Sequence, residues 1–150
     1  MTQEQLSEIL DNILGLLLLE GSYELEESEE GFHVFIQTKD AGRIIGYRGE
    51  ALQSLQLIVS QIATQKSKEF KRVIVDVEGW RKNKEGDLAK RAEEWASQVK
   101  ESQKPMELEP MPSWQRRAVH LKIQEMQGVE SESVGEGSER HLVIKPAKSD

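Results

Sequence analysis

RIIGYRGE, residues 43–50, places two glycines three apart behind an isoleucine pair, with Tyr47 and Arg48 between them. From Glu50 the most regular pattern in the chain begins. Ala51, Leu52, Leu55, Ile58, Val59 and Ile62 recur at helical spacing, with glutamines and serines opposite. A glycine-flanked turn that opens a helix has a specific chemistry. The first N–H groups of a helix have no partner within it and carry partial positive charge, so an anion is stabilised there. Gly46 and Gly49 put no side chain between a phosphate and the backbone. Arg43 and Arg48 add full charges, and Ile44 and Ile45 offer apolar surface on which a base can rest. The same features also describe a plain helix–turn–helix corner, and the turn alone does not separate the two readings.

Working outward, Thr2 with Gln5 three residues later reads as a capping box. Leu6, Ile9, Leu10, Ile13 and Leu14 follow at helical spacing. That helix ends at Gly15 or runs on through the leucines to Gly21, and the spacing leaves both open. Residues 22–28 alternate Tyr23 and Leu25 with glutamates, 29–31 make a turn, and Phe32, Val34 and Ile36 alternate in residues 32–38, which completes a hairpin. AGRIIG, residues 41–46, makes at most a short helical turn. RVIVDVE, residues 72–78, sets Val73, Val75 and Val77 on one side of a strand. The order is helix, strand, strand, short helix, helix, strand.

Gly79 opens a polar stretch, WRKNKEGD, that reads as a domain boundary. Leu88, Ala92, Trp95, Ala96 and Val99 mark a helix beyond it. KPMELEPMP is extended. Ser113 is expected to cap a helix running to about Gln127, with Ala118, Leu121 and Met126 among its apolar positions. VESESV and HLVIKP form two short strands joined by GEGSE. The second unit thus reads helix, strand, helix, strand, strand, and residues 148–150 read as a disordered tail.

Composition narrows the function. The chain has 150 residues, 37% of them hydrophobic and 5% aromatic, enough for two modest cores. With no cysteine there is no disulfide and no thiolate metal site. Three scattered histidines give no zinc cluster, and no cofactor is implied. ILGLLLL, residues 13–19, is too short to span a bilayer, and the acids ahead of it are unlike a signal peptide. No membrane role is expected, and a cytoplasmic protein is. The net charge of −7 argues against a general polyanion binder. Residues 1–40 hold ten acids against one base, however, so the remainder is mildly basic.

QRRAVH, residues 115–120, sets Arg116 and His120 one turn apart on a helix. A guanidinium holds phosphate through two N–H donors, and an imidazole donates to phosphate or stacks on a base. No carboxylate partner or nearby serine makes His120 part of a catalytic set in the sequence. Taken alone, the pair is also an ordinary solvated helix face.

IIGYRGEALQSLQ, set between a hairpin and a strand, resembles the KH domain, and the element order resembles its type II form. RRAVH followed by the GEG turn at Gly135, Glu136 and Gly137 resembles the R-three-H domain, named for an Arg and a His separated by three residues. The two in this order resemble the Jag family of bacterial RNA-binding proteins, over about residues 3 to 147. The resemblance implies an α+β protein of two small sandwich domains, KH at 1–78 and R-three-H at 79–147. It implies a binder of single-stranded RNA, extending to single-stranded DNA, that acts as a post-transcriptional regulator or RNA chaperone without enzymatic activity, and with a second KH protein as partner. Carried over by position, Gly46, Tyr47, Arg48 and Gly49 form the loop that clamps the backbone, with Arg43, Ile44 and Ile45 beside it and Leu52 in support. Arg116 and His120 are the second signature, with Arg117 and Arg140 accessory. Tyr47 departs from the basic or small residue expected in the loop, and Gln115 stands where an acid is expected. The chain is expected to start directly at the KH unit, without the N-terminal domain and linker of many Jag proteins. A rival reading is a protein adaptor on the same scaffold. A hydrolase using His120 is the weakest.

Overall fold

The computed structural model describes residues 1–148. Of the tail expected at 148–150, residues 149 and 150 lie outside that range. The chain forms two compact units, Met1–Arg81 and the remainder from Lys82.

The first unit begins with helix α1, Gln3–Leu16. The Thr2 hydroxyl accepts from the Gln5 N–H at 3.2 Å, and the Gln5 side chain accepts from the Thr2 N–H at 2.9 Å, so the capping box is complete. The leucines do not extend the helix to Gly21. Leu18 turns to φ 54°, which leaves Leu16 and Leu18 exposed. Strands β1, Gly21–Ser28, and β2, Gly31–Thr38, pair as an antiparallel hairpin. A short helix α2, Ala41–Ile45, a 3-10 turn at Tyr47–Gly49 and helix α3, Glu50–Ser67, lead to strand β3, Arg72–Val77. β3 pairs in parallel with β2, so β2 is the central strand. Phe32, Val34, Ile36, Val73, Val75 and Val77 meet Leu6, Ile9 and Leu10 of α1 and Leu52, Leu55, Val59 and Ala63 of α3 in one core.

The inward stripe of α3 is narrower than expected. Ala51 and Ile58 are exposed, and Ala63 is buried in their stead. The helix has more aliphatic residues than the sheet below it can cover.

The polar stretch after Gly79, expected to be a boundary, is helical. Helix α4 runs Trp80–Ser102. Glu78 and Gly79, both at positive φ, make the whole connection from β3. The buried carboxylate of Asp76 accepts from the N–H of Arg81 at 2.8 Å, which satisfies a donor in the first turn of α4. This tertiary contact supports a start that the local residues do not announce, and it keeps Trp80 and Arg81 with the first unit.

In the second unit, Leu88, Ala92, Ala96 and Val99 of α4 pack with Val119 and Ile123 of helix α5, Ser113–Gln124. Strands β4, Met106–Glu107, β5, Val129–Val134, and β6, His141–Pro146, form an antiparallel sheet in the order β4-β6-β5. Ser113 is the first helical residue and makes no cap; the N-cap is Pro112. The inward face of α5 is rotated from the expected one, with Gln115 buried and Leu121 half exposed. Trp95 lies at the rim of this core, its ring covered by Arg91 at 4.9 Å.

Candidate nucleic-acid interface

The turn between α2 and α3 shows what each of its residues is for. Arg43 donates from Nη1 to the Leu17 carbonyl at 3.1 Å and pairs with Asp40 at 3.5 Å, so it closes the end of α1 while staying half exposed. Ile44 is buried in the core. It is therefore structural, and Ile45, half-buried against the same core, is the isoleucine left at the surface. Leu52 is fully buried and supports the turn from below.

Both glycines are required by the protein's own packing. Gly46 has φ 70°, and a Cβ there would lie 2.6 Å from the Ala51 Cβ. Gly49 has φ 79°, and a Cβ there would lie 2.4 Å from Cη2 of Trp80. Real carbon contacts do not come so close, and an L side chain pays an added penalty in this left-handed region. Packing thus gives the glycines a reason that stands beside the expected one, of keeping the way open for a phosphate. They let the turn close tightly on Ala51 and Trp80.

The outer side of the turn is different. Gly49 is the N-cap of α3 and has no side chain to cap it. Tyr47 is 71% exposed. Arg48, at φ 54°, lies over the Tyr47 ring at 5.0 Å, so the two side chains stand together at the tip. A helix start without a side-chain cap, one guanidinium and one aromatic face thus lie together at this turn, where the N–H groups of Gly49 and Glu50 donate to the carbonyls of Gly46 and Tyr47.

In the second unit, α5 brings Arg116 and His120 onto one side, as their spacing requires. Arg116 donates from Nη1 to the Met111 carbonyl at 2.7 Å. Partial burial, and then the charge of Arg140, lower its pKa from the ordinary guanidinium value. Arg140 donates to the Gly135 carbonyl at 2.7 Å, across the glycine turn between β5 and β6. Two guanidiniums are therefore held near each other by main-chain carbonyls. Arg117 is exposed and points about 100° round the helix from Arg116.

His120 has a partner the sequence did not point to. Its Nδ1 lies 2.6 Å from Oγ of Ser131 on β5, and its Nε2 lies 3.0 Å from Nε2 of Gln124. Both ring nitrogens are thus already engaged by side chains of the same unit.

Lys71, in the basic run after α3, pairs with Glu27 of β1 at 2.9 Å and lies over the Phe32 ring. Among the described residues no cluster of His, Asp and Glu is placed to hold a metal, and no helix is long and apolar enough to cross a membrane.

Two family models match the chain in succession. Residues 3–77 match the family described as KhpA/KhpB, KH domain, and residues 87–146 match the R-three-H domain. The RNA-binding protein KhpB of Clostridium symbiosum is 32% identical over 144 residues, 95% of this chain and 65% of that protein. The protein of the same name from Bacillus subtilis is 33% identical over 122 residues, 80% of this chain and 59% of its own. That from Streptococcus pneumoniae is 27% identical over 126 residues, 84% of this chain and 38% of its own. The chain thus spans 65% or less of the length of these relatives.

Proposed function

The chain belongs to the KhpA/KhpB family of KH-domain proteins, its KH domain followed by an R-three-H domain, and from that premise we propose that it binds single-stranded RNA. The observation that carries the reading is the uncapped start of α3 beside the exposed Tyr47 and Arg48. The sugar–phosphate backbone lies against the amides at Gly46–Gly49, with Arg43 and Arg48 neutralising charge and a base resting against Ile45 or Tyr47. Arg116 and His120, with Arg117 and Arg140 near them in sequence or space, make a second and weaker contact. Linking two contacts in one chain raises the effective concentration of the second. The protein acts without enzymatic activity, in a reducing cytoplasm that the absence of cysteine fits. Single-stranded DNA is a lesser ligand and a second KH protein a partner, and the cellular role is that of a post-transcriptional regulator or RNA chaperone.

The test is fluorescence anisotropy with a labelled single-stranded RNA, comparing the wild type with Tyr47→Asp plus Arg48→Asp. The double variant is expected to bind about tenfold more weakly or worse, a loss of about 1.4 kcal/mol, and to keep its stability because the tip is exposed. Equal affinity overturns the clamp. The acidic β1, with Glu24, Glu26 and Glu27, favours one rival, a protein adaptor. Capture of a partner from lysate that survives nuclease treatment separates the two.

A further inference from the structure

The turn's shape depends on a residue outside it. We propose that Trp80 is the positioning residue of the Gly46–Gly49 loop, its indole serving as the surface against which the loop is set. The proposal rests on the RNA reading above and deepens it. Trp80 lies beyond residues 3–77, the stretch that matches the KH family.

Three atoms of the six-membered ring, Cη2, Cζ3 and Cζ2, lie 2.4, 2.9 and 3.2 Å from where a Gly49 Cβ would stand. The ring therefore occupies the space a side chain at Gly49 would claim, and Gly49 is buried under it. Trp80 itself is half-buried and packs on the core of the first unit. Its place is fixed from several directions. The connection Glu78–Gly79 has two residues, both at positive φ. The Asp76 carboxylate accepts from the N–H groups of Val77 and Arg81, each at 2.8 Å. Arg81 donates from Nη2 to Oε1 of Gln56 at 2.9 Å, and the same oxygen accepts from the Val75 N–H at 2.9 Å. Gln56 is on α3, about two turns along from Gly49. The first turn of α4 is thus tied to both β3 and α3, and Trp80 is held at the inner side of the loop while Tyr47 and Arg48 face outward.

The loop holds three residues at positive φ, Gly46, Arg48 and Gly49, and an RNA strand pressing on its outer side meets whatever lies behind. With the indole in place the amides are set before the ligand arrives. Without it the loop samples other arrangements, and apparent affinity falls by the fraction that remains competent.

The experiment uses the full chain. RNA affinity is compared for wild type, Trp80→Phe and Trp80→Ala, each first checked for a cooperative unfolding transition. Trp80→Ala is expected to bind about tenfold more weakly, as a loop competent for about a tenth of the time requires. Trp80→Phe, which keeps a ring behind Gly49, is expected to recover most of that loss. A purely structural residue would not pass a second readout. With 5-fluorotryptophan incorporated and the resonance assigned by its absence in Trp80→Phe, the fluorine signal of Trp80 is expected to shift when RNA binds. Folded Trp80→Ala that binds like wild type overturns the proposal. So does a Trp80 resonance unmoved at saturating RNA, a measurement that stands even if Trp80→Ala does not fold. Failure of the underlying reading looks different: the Tyr47 and Arg48 double variant then binds as wild type does, and both ideas fall together.

Discussion

At the turn of the first unit the exposed side chains are Tyr47 and Arg48, which lie against each other, while the N–H groups of Gly46, Gly49 and Glu50 donate to main-chain carbonyls of the same turn. In the second unit Arg116 and His120 already hold partners, the Met111 carbonyl in one case and Ser131 with Gln124 in the other. One surface is a backbone shape enforced from behind. The other is a set of side chains doing structural duty while part of each remains open to solvent. The contrast teaches where a substitution should strike. In the first unit, shape and tip separate, so stability and binding can be damaged independently. In the second, the side chains proposed to meet RNA are the ones that hold the structure, so the two are expected to fall together.

The largest expected effect breaks the shape itself. Gly49→Ala puts a methyl into the Trp80 ring and a Cβ at φ 79°, and it is expected to cost about 2–4 kcal/mol, read from urea unfolding. A loss below about 0.5 kcal/mol would mean the indole moves aside freely, and the description of an enforced loop would be wrong.

That outcome also marks the limit of what the sequence discloses. The glycine pair, the capping box at Thr2 and Gln5 and the element order of both units are legible because period and spacing are local properties. The reason for Gly49 is not, since its partner stands at position 80. The start of α4 is hidden likewise, because Asp76 and Gln56 supply contacts that no helix signal in WRKNKEGD announces. The faces of α3 and α5 were misplaced by residues such as Ile58 and Leu121, which are apolar yet exposed, and by Gln115, which is polar yet buried. His120 showed its spacing to Arg116 but not its bond to Ser131, eleven residues on.

A middle-sized effect sharpens the comparison inside the second unit. Arg116→Ala removes the bond to Met111, and thermal unfolding is expected to show a loss of about 1–2 kcal/mol alongside weaker RNA binding. Arg117→Ala, on the exposed side of α5, is expected to leave stability within about 0.5 kcal/mol. If the two variants behave alike in stability, Arg116 is not the structural residue its geometry makes it.

The smallest effect concerns pH. His141 accepts a place between the Glu139 carbonyl, 2.9 Å from Nδ1, and Glu107, 3.4 Å from Nε2. The Glu139 carbonyl first, and then the Glu107 carboxylate, raise its pKa above the ordinary 6.5, while partial desolvation opposes them. A raised folded-state pKa means the charged ring favours the fold. That contribution is complete below 6.5 and is lost as pH rises through the folded-state value. The melting temperature of wild type relative to His141→Gln is therefore expected to be higher at mildly acid pH and to converge with it under alkaline conditions. A gap independent of pH would assign the contact to packing.

The parallel pairing of β2 with β3 has a consequence in time. Gly31 finds its partner Arg72 only after the whole of α2 and α3 has been made, whereas β1 and β2 can zip together as soon as they leave the ribosome. Through that interval the inner strand, with Phe32, Val34 and Ile36, has an open rim. The β4–β6 pairing, Met106 with Ile144, likewise waits for α5 and β5, so both units are expected to close their sheets late and to expose strand edges to aggregation until then.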